Sequence, residues 1–144
     1  MPFTNRPSRN KVSLFSFQYD NSELVPPFAL MLLADQLRKR GYDPHINHLS
    51  KSDIDIAGIV DEVSDCLLVG FSLYTSELLL DALSVSKAIK DTHGDQVSVV
   101  WGGIHPTLCP EVTLKEDCID YIVMGEGEES ICTLSDYLQN GREG

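Results

Sequence analysis

The stretch that decides the fold of this chain is Val97-Ser98-Val99-Val100-Trp101-Gly102-Gly103-Ile104-His105-Pro106-Thr107. Its first half is an apolar, β-branched run, which predicts a strand, and the run breaks at once into two glycines and a proline. Because Gly102 and Gly103 have no Cβ, the backbone there can adopt a positive φ and a flat ligand can lie against it. Pro106 restricts His105 to an extended conformation and fixes how the chain leaves the loop.

A second strand of the same kind follows along the chain. Residues 119–124 are mostly apolar and end in Gly125-Glu126-Gly127-Glu128, which opens a helix. Two neighbouring strands therefore finish in glycine-rich loops on what should be one edge of a sheet. That edge is the predicted ligand site.

The composition is that of one globular domain. The chain has 144 residues, of which 42% are hydrophobic, enough for a single core. No apolar run approaches the roughly 18–20 residues of a membrane span, and the opening residues are polar, so we expect a cytoplasmic protein that does not bind membranes. The net charge of −11, with only 11 Lys and Arg, argues against nucleic-acid binding.

The four cysteines do not form a metal or disulfide framework. They are Cys66, Cys109, Cys118 and Cys132, and no two lie two to four positions apart. A structural zinc site or an iron–sulfur cluster needs such a close pair, and disulfides do not suit a cytosolic domain. Cys66 and Cys132 stand in apolar stretches and are predicted to be core residues.

Strand and helix patterns alternate five times along the chain. Predicted strands cover 11–19, 42–49, 66–72, the run from 97, and 119–124. The first predicted helix begins at Pro26-Pro27 and ends before Gly41, and the second covers 52–65 with Ser52 or Asp53 as its cap. The third runs from 76 to about 92. The last two cover 110–117 and 128–139, and Gly141 is the C-cap of the final helix. No linker or internal repeat interrupts them. We assign 1–10 to a polar leader, 11–140 to one domain, and 141–144 to the start of a linker to a further domain.

This alternation predicts an α/β fold, a doubly wound, five-stranded parallel sheet with helices on both faces. The second strand is polar and contains Pro44, which belongs at a sheet edge, so the expected order is 2-1-3-4-5, the flavodoxin-like (Rossmann-like) three-layer sandwich. Ligands of such folds bind beyond the carboxyl ends of the strands, where strands one and three diverge. The loops that face this crevice are 19–27, 72–76, 102–107 and 125–129.

The loops argue against several proteins that share this fold. A receiver domain needs an acidic pair after strand one, an aspartate ending strand three and a lysine ending strand five, and this chain has Asp20 alone, Phe71-Ser72 and no lysine at those places. The carboxylates of Asp20 and Glu23 would repel the phosphate of a flavin. No dinucleotide-binding Gly-x-Gly-x-x-Gly follows strand one.

Four segments, in order, carry a resemblance. They are Val69-Gly70-Phe71-Ser72, Gly102-Gly103-Ile104-His105-Pro106-Thr107 with Pro110-Glu111, Ile119-Asp120-Tyr121-Ile122-Val123, and Gly125-Glu126-Gly127-Glu128. With these segments, residues 11–139 resemble the cobalamin (vitamin B12)-binding domains at the N-terminus of cobalamin-dependent radical SAM enzymes, which include methyltransferases. The resemblance implies that the corrin ring lies over the carboxyl ends of the strands and that the nucleotide tail extends into the crevice.

The resemblance also implies which residues contact the cofactor. Gly102 and Gly103 would give it room, Ser72, Thr75 and Thr107 would offer hydroxyls, and Glu126 and Glu128 would order the last loop or accept hydrogen bonds from corrin amides. The whole set of predicted cofactor contacts is Ser72, Tyr74, Thr75, Gly102, Gly103, Ile104, His105, Thr107, Gly125, Glu126, Gly127 and Glu128. Plainer roles compete with these: Ser72 as the cap of the third helix, and Glu128 as a charge favoured at a helix N-terminus.

Two departures from related patterns sharpen the hypothesis. Cobalamin domains of mutases carry Asp-x-His-x-x-Gly after strand one, and its histidine ligates cobalt; this first loop has no histidine. His45 and His48 lie in the second strand, and His93 suits a helix C-terminus. His105 is expected to be a loop residue bonded to backbone, with a contact to cobalt as the less favoured alternative. Base-off, His-off cobalamin with no metal-ligating residue is therefore expected. The chain also lacks the Cys-x-x-x-Cys-x-x-Cys triplet that holds the [4Fe-4S] cluster of radical SAM enzymes.

The chain alone is consequently not assigned a reaction or catalytic residues. The leading hypothesis is a module that holds cobalamin for a radical SAM barrel, in cis or in trans, whose own cofactors are the cluster and S-adenosylmethionine. Surface left bare by such a domain would favour a weak homodimer. The alternative is a degenerate domain that acts as a structural or protein-interaction element, with its crevice plugged by Tyr19, Tyr74 or Trp101. A free-standing enzyme is disfavoured because no nucleophile–base pair is evident in the sequence.

Overall fold

The computed structural model of the chain describes residues 9–20, 26–73, 77–103, 117–123 and 127–140. Its strands are β1 (Lys11–Gln18), β2 (Asp43–Ser50), β3 (Cys66–Leu73), β4 (Ser98–Gly103) and β5 (Tyr121–Ile122). Its α-helices are α1 (Phe28–Lys39), α2 (Ile56–Glu62), α3 (Leu78–His93) and α4 (Glu128–Gln139), and single 3₁₀ turns cover Lys51–Asp53 and Gly94–Gln96.

The sheet confirms the predicted topology. All described strand pairs are parallel and the order is β2-β1-β3-β4-β5, with β2 at the edge. β3 lies in the middle and is buried along nearly its whole length, as its continuous apolar sequence predicted. The helices cover both faces of the sheet, so the chain is a three-layer α/β sandwich.

Local sequence explains where α1 begins and ends. Pro27 occupies the position before the first helical residue, where a missing N–H costs nothing. Arg38 and Lys39 fill the last turn, where positive charge interacts favourably with the helix dipole. Gly41 follows with φ +92°, a conformation that a residue with a Cβ rarely adopts, and the chain turns directly into β2.

Two boundary predictions need correction. The helix predicted over 52–65 with Ser52 or Asp53 as its cap is only α2, because Lys51–Asp53 form a 3₁₀ turn and the chain is extended at Ile54 and Asp55. Of the strand predicted over 119–124, only Tyr121–Ile122 form β5, although the backbone N–H groups of Asp120 and Val123 also donate to the carbonyls of Val99 and Trp101. The helix predicted over 128–139 is confirmed as α4, and Asn140 is its C-cap residue. The helix predicted over 110–117 and the C-cap predicted at Gly141 fall on or against residues outside the described part of the chain.

The core is divided by the sheet into two clusters. One face carries large side chains that pack against α2 and α3, including Phe15, Phe71 and Trp101. The opposite face packs against α1 and α4 through smaller aliphatic groups such as Val12, Leu14 and Val100. Cys66, Cys118 and Cys132 are buried free thiols, which confirms the core role predicted for Cys66 and Cys132.

Asp120 fixes the start of β5 against β4. Its carboxylate accepts hydrogen bonds from the backbone N–H of Val99 (2.8 Å) and from the Lys90 ammonium (2.7 Å), and Lys90 also donates to the carbonyl of Val97 (3.1 Å). A half-buried ion pair of this kind is stable because each charge has several hydrogen-bond partners. The short last strand is therefore tied to the sheet by a side chain as well as by backbone bonds.

Within the described residues, no helix is long and apolar enough to cross a membrane.

Candidate functional site

The strands β1 and β3 separate at their carboxyl ends. Their pairing stops at Phe15↔Phe71, although β1 continues to Gln18 and β3 to Leu73. On the outer sides the ladders continue, to Gln18↔Ser50 between β1 and β2 and to Leu73↔Gly103 between β3 and β4. The opening thus lies where strand order reverses, the place at which doubly wound folds bind ligands.

Beside this opening, three positions on one face of the sheet carry small residues. Gly70, Ser72 and Gly102 follow the strand period of two, and Ser72 pairs directly with Gly102. The intervening residues Phe71 and Trp101 point into the opposite core cluster. At this level, large side chains therefore pack on one face of the sheet, whereas the small residues leave space on the other.

A cavity of about 230 Å³ occupies the space above the small residues. Its floor is formed by the sheet and its walls by α1 and α4, through side chains that include Leu30, Leu33 and Ile131. The deep end is lined by buried aliphatic groups, and Ala29 and Leu32, which are exposed, line the surface end. Among the lining residues that the structure describes, Ser72 and Glu128 are the polar ones, and both are half-buried.

The four glycines of this region have different physical roles. A Cβ on Gly102 would meet its nearest atom, the Val123 carbonyl oxygen, at 3.6 Å, which is an ordinary contact. On Gly70 it would meet Leu14 Cδ2 at 3.1 Å, and on Gly127 it would meet Val123 Cγ1 at 3.2 Å. These three glycines leave space that side chains would reduce.

Gly103 is required by the backbone itself. Its φ is +95°, and a Cβ there would lie 2.7 Å from both the N and the O atoms of Leu73. Both atoms belong to the main chain of β3, so they cannot move aside cheaply. Gly103 is glycine because β3 and β4 approach closely at the rim, whereas Gly102 is glycine at a position where the fold alone tolerates a methyl group.

The positions of Ser72 and Glu128 exclude one of the predicted roles of Ser72 and are compatible with both roles of Glu128. Ser72 lies in β3, six positions before the first residue of α3, so it does not cap that helix. Its position in the cavity lining leaves ligand contact as its remaining predicted role. Glu128 is the first residue of α4 and also lines the cavity, so it stands at the positive end of the helix dipole and at the candidate site together.

The aromatic residues proposed to plug the crevice do not do so where they are described. Trp101 is buried on the far face, and its Nε1–H donates to Ser86 Oγ (3.0 Å). Tyr19 lies at the rim, where its hydroxyl accepts a hydrogen bond from the backbone N–H of Glu77 (3.2 Å), ahead of α3. Neither lines the cavity. Tyr74 lies outside the described residues.

Polar contacts tie the rim loops on the β2 side together. The Asp20 carboxylate accepts the backbone N–H of Ser52 (2.9 Å). Hydrogen bonds from the Ser52 backbone and hydroxyl lower the pKa of Asp20. Lys51 pairs with Asp81 at 2.7 Å, and this bond raises the pKa of the lysine. The loop after β1 is thereby attached to the one after β2, and the latter to the start of α3.

A hydrogen bond between a serine on β1 and a histidine on β2 was not predicted from the sequence. Ser16 Oγ lies 2.6 Å from His48 Nδ1, and His48 Nε2 lies 3.1 Å from Gln18 Oε1, while the Gln18 amide donates to Ser50 Oγ. Since an amide oxygen only accepts, Nε2 carries the proton and Nδ1 accepts the Ser16 hydroxyl. The alternation of Ser16 and Gln18 on β1 with His48 and Ser50 on β2 was the available signal.

The histidines of the described residues are engaged by other groups. His45 pairs with Asp43 at 2.9 Å, and His93 Nε2 contacts the carbonyl oxygen of Val60 at 2.7 Å. His93 is the last residue of α3, which confirms its predicted place at a helix C-terminus. His105 lies outside the described residues. In the described part of the chain, no group of three or more His, Cys, Asp or Glu side chains could hold a metal ion.

Of the predicted contact residues, the structure brings five together. Ser72, Gly102, Gly103, Gly127 and Glu128 all line the cavity. The others lie outside the described residues and stay predictions; they are Tyr74, Thr75, Ile104, His105, Thr107, Gly125 and Glu126. The sequence did not point to Gly70 or to the α1–α4 wall.

The site suits one arm of a large ligand. Small-molecule sites are commonly about 300–1,000 Å³, so 230 Å³ does not enclose a whole corrinoid. An apolar cavity of about 150 Å³ accepts one benzene ring, so a fused two-ring base fits this one.

Comparisons with known proteins agree with this geometry. A sequence model of the family described as B12 binding domain matches residues 22–135. An uncharacterized methyltransferase of Pyrococcus horikoshii is 39% identical over 122 residues, which are 82% of this chain and 26% of that protein. The anaerobic magnesium-protoporphyrin IX monomethyl ester cyclase of Rubrivivax gelatinosus is 30% identical over 126 residues, which are 81% of this chain and 21% of that protein.

Among solved structures, the fold matches the radical S-adenosylmethionine methyltransferase TsrM of Kitasatospora setae, determined with cobalamin and a [4Fe-4S] cluster bound. The TM-score is 0.77 at 21% sequence identity, over 94% of this chain and 25% of that one. This chain thus spans about a quarter of the length of the relatives it matches.

Proposed function

Since this chain belongs to the B12-binding domain family, we propose that it is the cobalamin-holding module of a cytoplasmic cobalamin-dependent radical SAM enzyme, with residues 11–140 as the module. The observation that carries the proposal is the alternation of Gly70, Ser72 and Gly102 beneath an apolar cavity at the sheet's switch point. A chain that needed only a core at this level would fill the space with side chains.

The tail of the cofactor would be held by the cavity. The deep aliphatic lining would take the flat base, and the half-buried Ser72 hydroxyl would offer the tail one hydrogen bond nearer to the rim. Gly102 and Gly127 would let the ligand approach the backbone closely. The polar amides of the ring would remain at the rim, where Glu128 and the predicted contacts Thr75, Thr107 and Glu126 can accept or donate hydrogen bonds.

The cobalt would receive no imidazole from the histidines that the structure describes. Among the described histidines, His48 is held between Ser16 and Gln18 on the edge strand, and His45 and His93 have other partners. With the tail in the cavity, the cofactor would be base-off, and with no ligand from the described histidines we expect it to be His-off as well. Bound cobalamin would supply cobalt as a carrier of a methyl group, and this chain's part is to hold and orient it.

The reaction belongs to the whole protein, which is longer than this chain in the relatives. Two of them carry different names, a methyltransferase and a cyclase, so we propose the module and not one substrate. The catalytic partner would be a radical SAM barrel with its [4Fe-4S] cluster and S-adenosylmethionine, in cis beyond residues 141–144 or in trans. Phe28, Met31 and Leu32 leave an apolar surface on α1 beside the cavity for such a domain.

Titration of the chain with hydroxocobalamin tests the proposal. We expect one cofactor per chain, followed by calorimetry, with a visible spectrum that shifts to the base-off form. The degenerate-domain alternative predicts no heat and an unchanged spectrum at tens of micromolar protein. A base-on spectrum at saturation would contradict the displaced tail while leaving cobalamin binding intact.

A further inference from the structure

Among the described residues, the deep end of the cavity offers a ligand no hydrogen-bond partner. Leu14, Leu30, Val100 and Ile131 line it, and each is at most 3% exposed. Their side chains carry no donor or acceptor, and the backbone groups beside them belong to strands and helices. Ser72 and Glu128, the polar residues of the lining, are half-buried and so stand nearer to solvent.

This lining has a consequence for the base at the end of the cofactor's tail. Corrinoids occur with chemically different bases, among them the methylated hydrocarbon edge of dimethylbenzimidazole and the amino-substituted, nitrogen-rich edge of adenine. The edge remote from the ribose enters the cavity first. A methylated edge buries apolar surface against the aliphatic lining, whereas an amino group and ring nitrogens would lose water without gaining partners.

We propose that the cavity between the sheet, α1 and α4 selects the lower base, accepting corrinoids with an apolar benzimidazole base and rejecting those with adenine. This inference rests on the proposed function, because it concerns the same cavity. The group that sets the preference is the deep aliphatic lining, and Val100 on β4 is its most testable member, since its side chain faces the cavity from the sheet.

The test compares three ligands on the whole chain by calorimetry: cobalamin, the corrinoid with adenine as its base, and cobinamide, which has no tail. Leaving a buried donor or acceptor without a partner lowers affinity roughly 5- to 150-fold. We therefore expect cobalamin to bind more tightly than the adenine form by a factor in that range, and cobinamide to bind more weakly than cobalamin.

A pair of variants isolates the cavity. Val100→Thr places a hydroxyl at the deep end with almost no change in shape, and it should narrow the difference between the two bases by roughly 2- to 12-fold. Val99→Thr makes the same change one residue earlier, in the core cluster on the opposite face, and should leave the difference unchanged. Circular dichroism identifies variants that have lost the fold, and the three-ligand comparison on the unmodified chain stands without them.

The outcomes separate the two proposals. If no corrinoid binds, the proposed function fails. If cobalamin binds but the adenine form binds equally tightly, the function stands and the base selection is wrong. Equal affinity for cobinamide would mean that the tail does not use the cavity, which also overturns the selection.

Discussion

Gly102 offers a way to separate what the ligand needs from what the fold needs. We expect Gly102→Val to weaken cobalamin binding while leaving the free chain as stable as before or slightly more so. The position lines the cavity, and a Cβ there has no contact shorter than 3.6 Å, so the valine methyl groups can extend into the space assigned to the ligand.

Both magnitudes follow from the geometry. Replacing a glycine within a strand removes unfolded-state freedom and gains about 0.5–1 kcal/mol in the free energy of unfolding. Inserting carbon atoms into space that a ligand must fill costs about 1–3 kcal/mol of binding, which is roughly a 5- to 150-fold rise in Kd. The two quantities should therefore move in opposite directions, which a loss of folding cannot imitate.

The assay pairs urea unfolding, which gives stability, with cobalamin titration, which gives Kd. Gly103→Ala is the matched comparison: its φ of +95° and the 2.7 Å approach to the Leu73 backbone should cost at least about 2 kcal/mol of stability. If Gly102→Val bound cobalamin as tightly as the unmodified chain, the cavity would not be the binding site. A large loss of stability in that variant would refute the distinction between the two glycines.

Two further predictions concern stability and association. Burial, together with the hydrogen bond from its hydroxyl to Asp136 (2.6 Å), raises the pKa of Tyr42, so above about pH 10 the folded chain keeps a proton that the unfolded chain releases. The free energy of unfolding, measured with urea, should therefore fall as the pH rises above about 10, and Tyr42→Phe should flatten this decline. An equal decline in both proteins would contradict the prediction. The isolated chain should dimerise weakly through α1, where Phe28 is 63% and Leu32 56% exposed. In light scattering, Leu32→Glu should abolish the dimer and the control Leu80→Glu, on α3, should not. A monomer at all concentrations would count against this surface.

The sequence was a good guide to the fold because its signals were local and strong. The apolar run of β3 and the proline in β2 determined the middle and the edge of the sheet, and the strand order followed. The second helix was predicted too long, because Ser52 and Asp53 have the composition of a cap. In the structure, Ser52 instead donates its N–H to Asp20, a contact between loops that the local sequence does not reveal.

The site was predicted only in part, for a physical reason. Gly102 and Gly103 looked equivalent, and only the dihedral angles and neighbouring atoms distinguish a glycine that leaves room from one that the backbone requires. Leu30 and Ile131 had the helical spacing of ordinary core residues, and spacing does not tell whether the space opposite them is filled. The cavity exists because Gly70, on the sheet, faces these two helices across the space between them, and that relation arises only in the tertiary structure.

The most direct test of the account is the electron paramagnetic resonance spectrum of cob(II)alamin bound to the chain. Free cob(II)alamin near neutral pH carries its own base on cobalt, and the axial nitrogen splits each cobalt line into three. With the tail in the cavity and no histidine as a ligand, we predict that excess protein removes this threefold splitting. A bound cofactor that retained the splitting would have nitrogen on cobalt and would contradict the account.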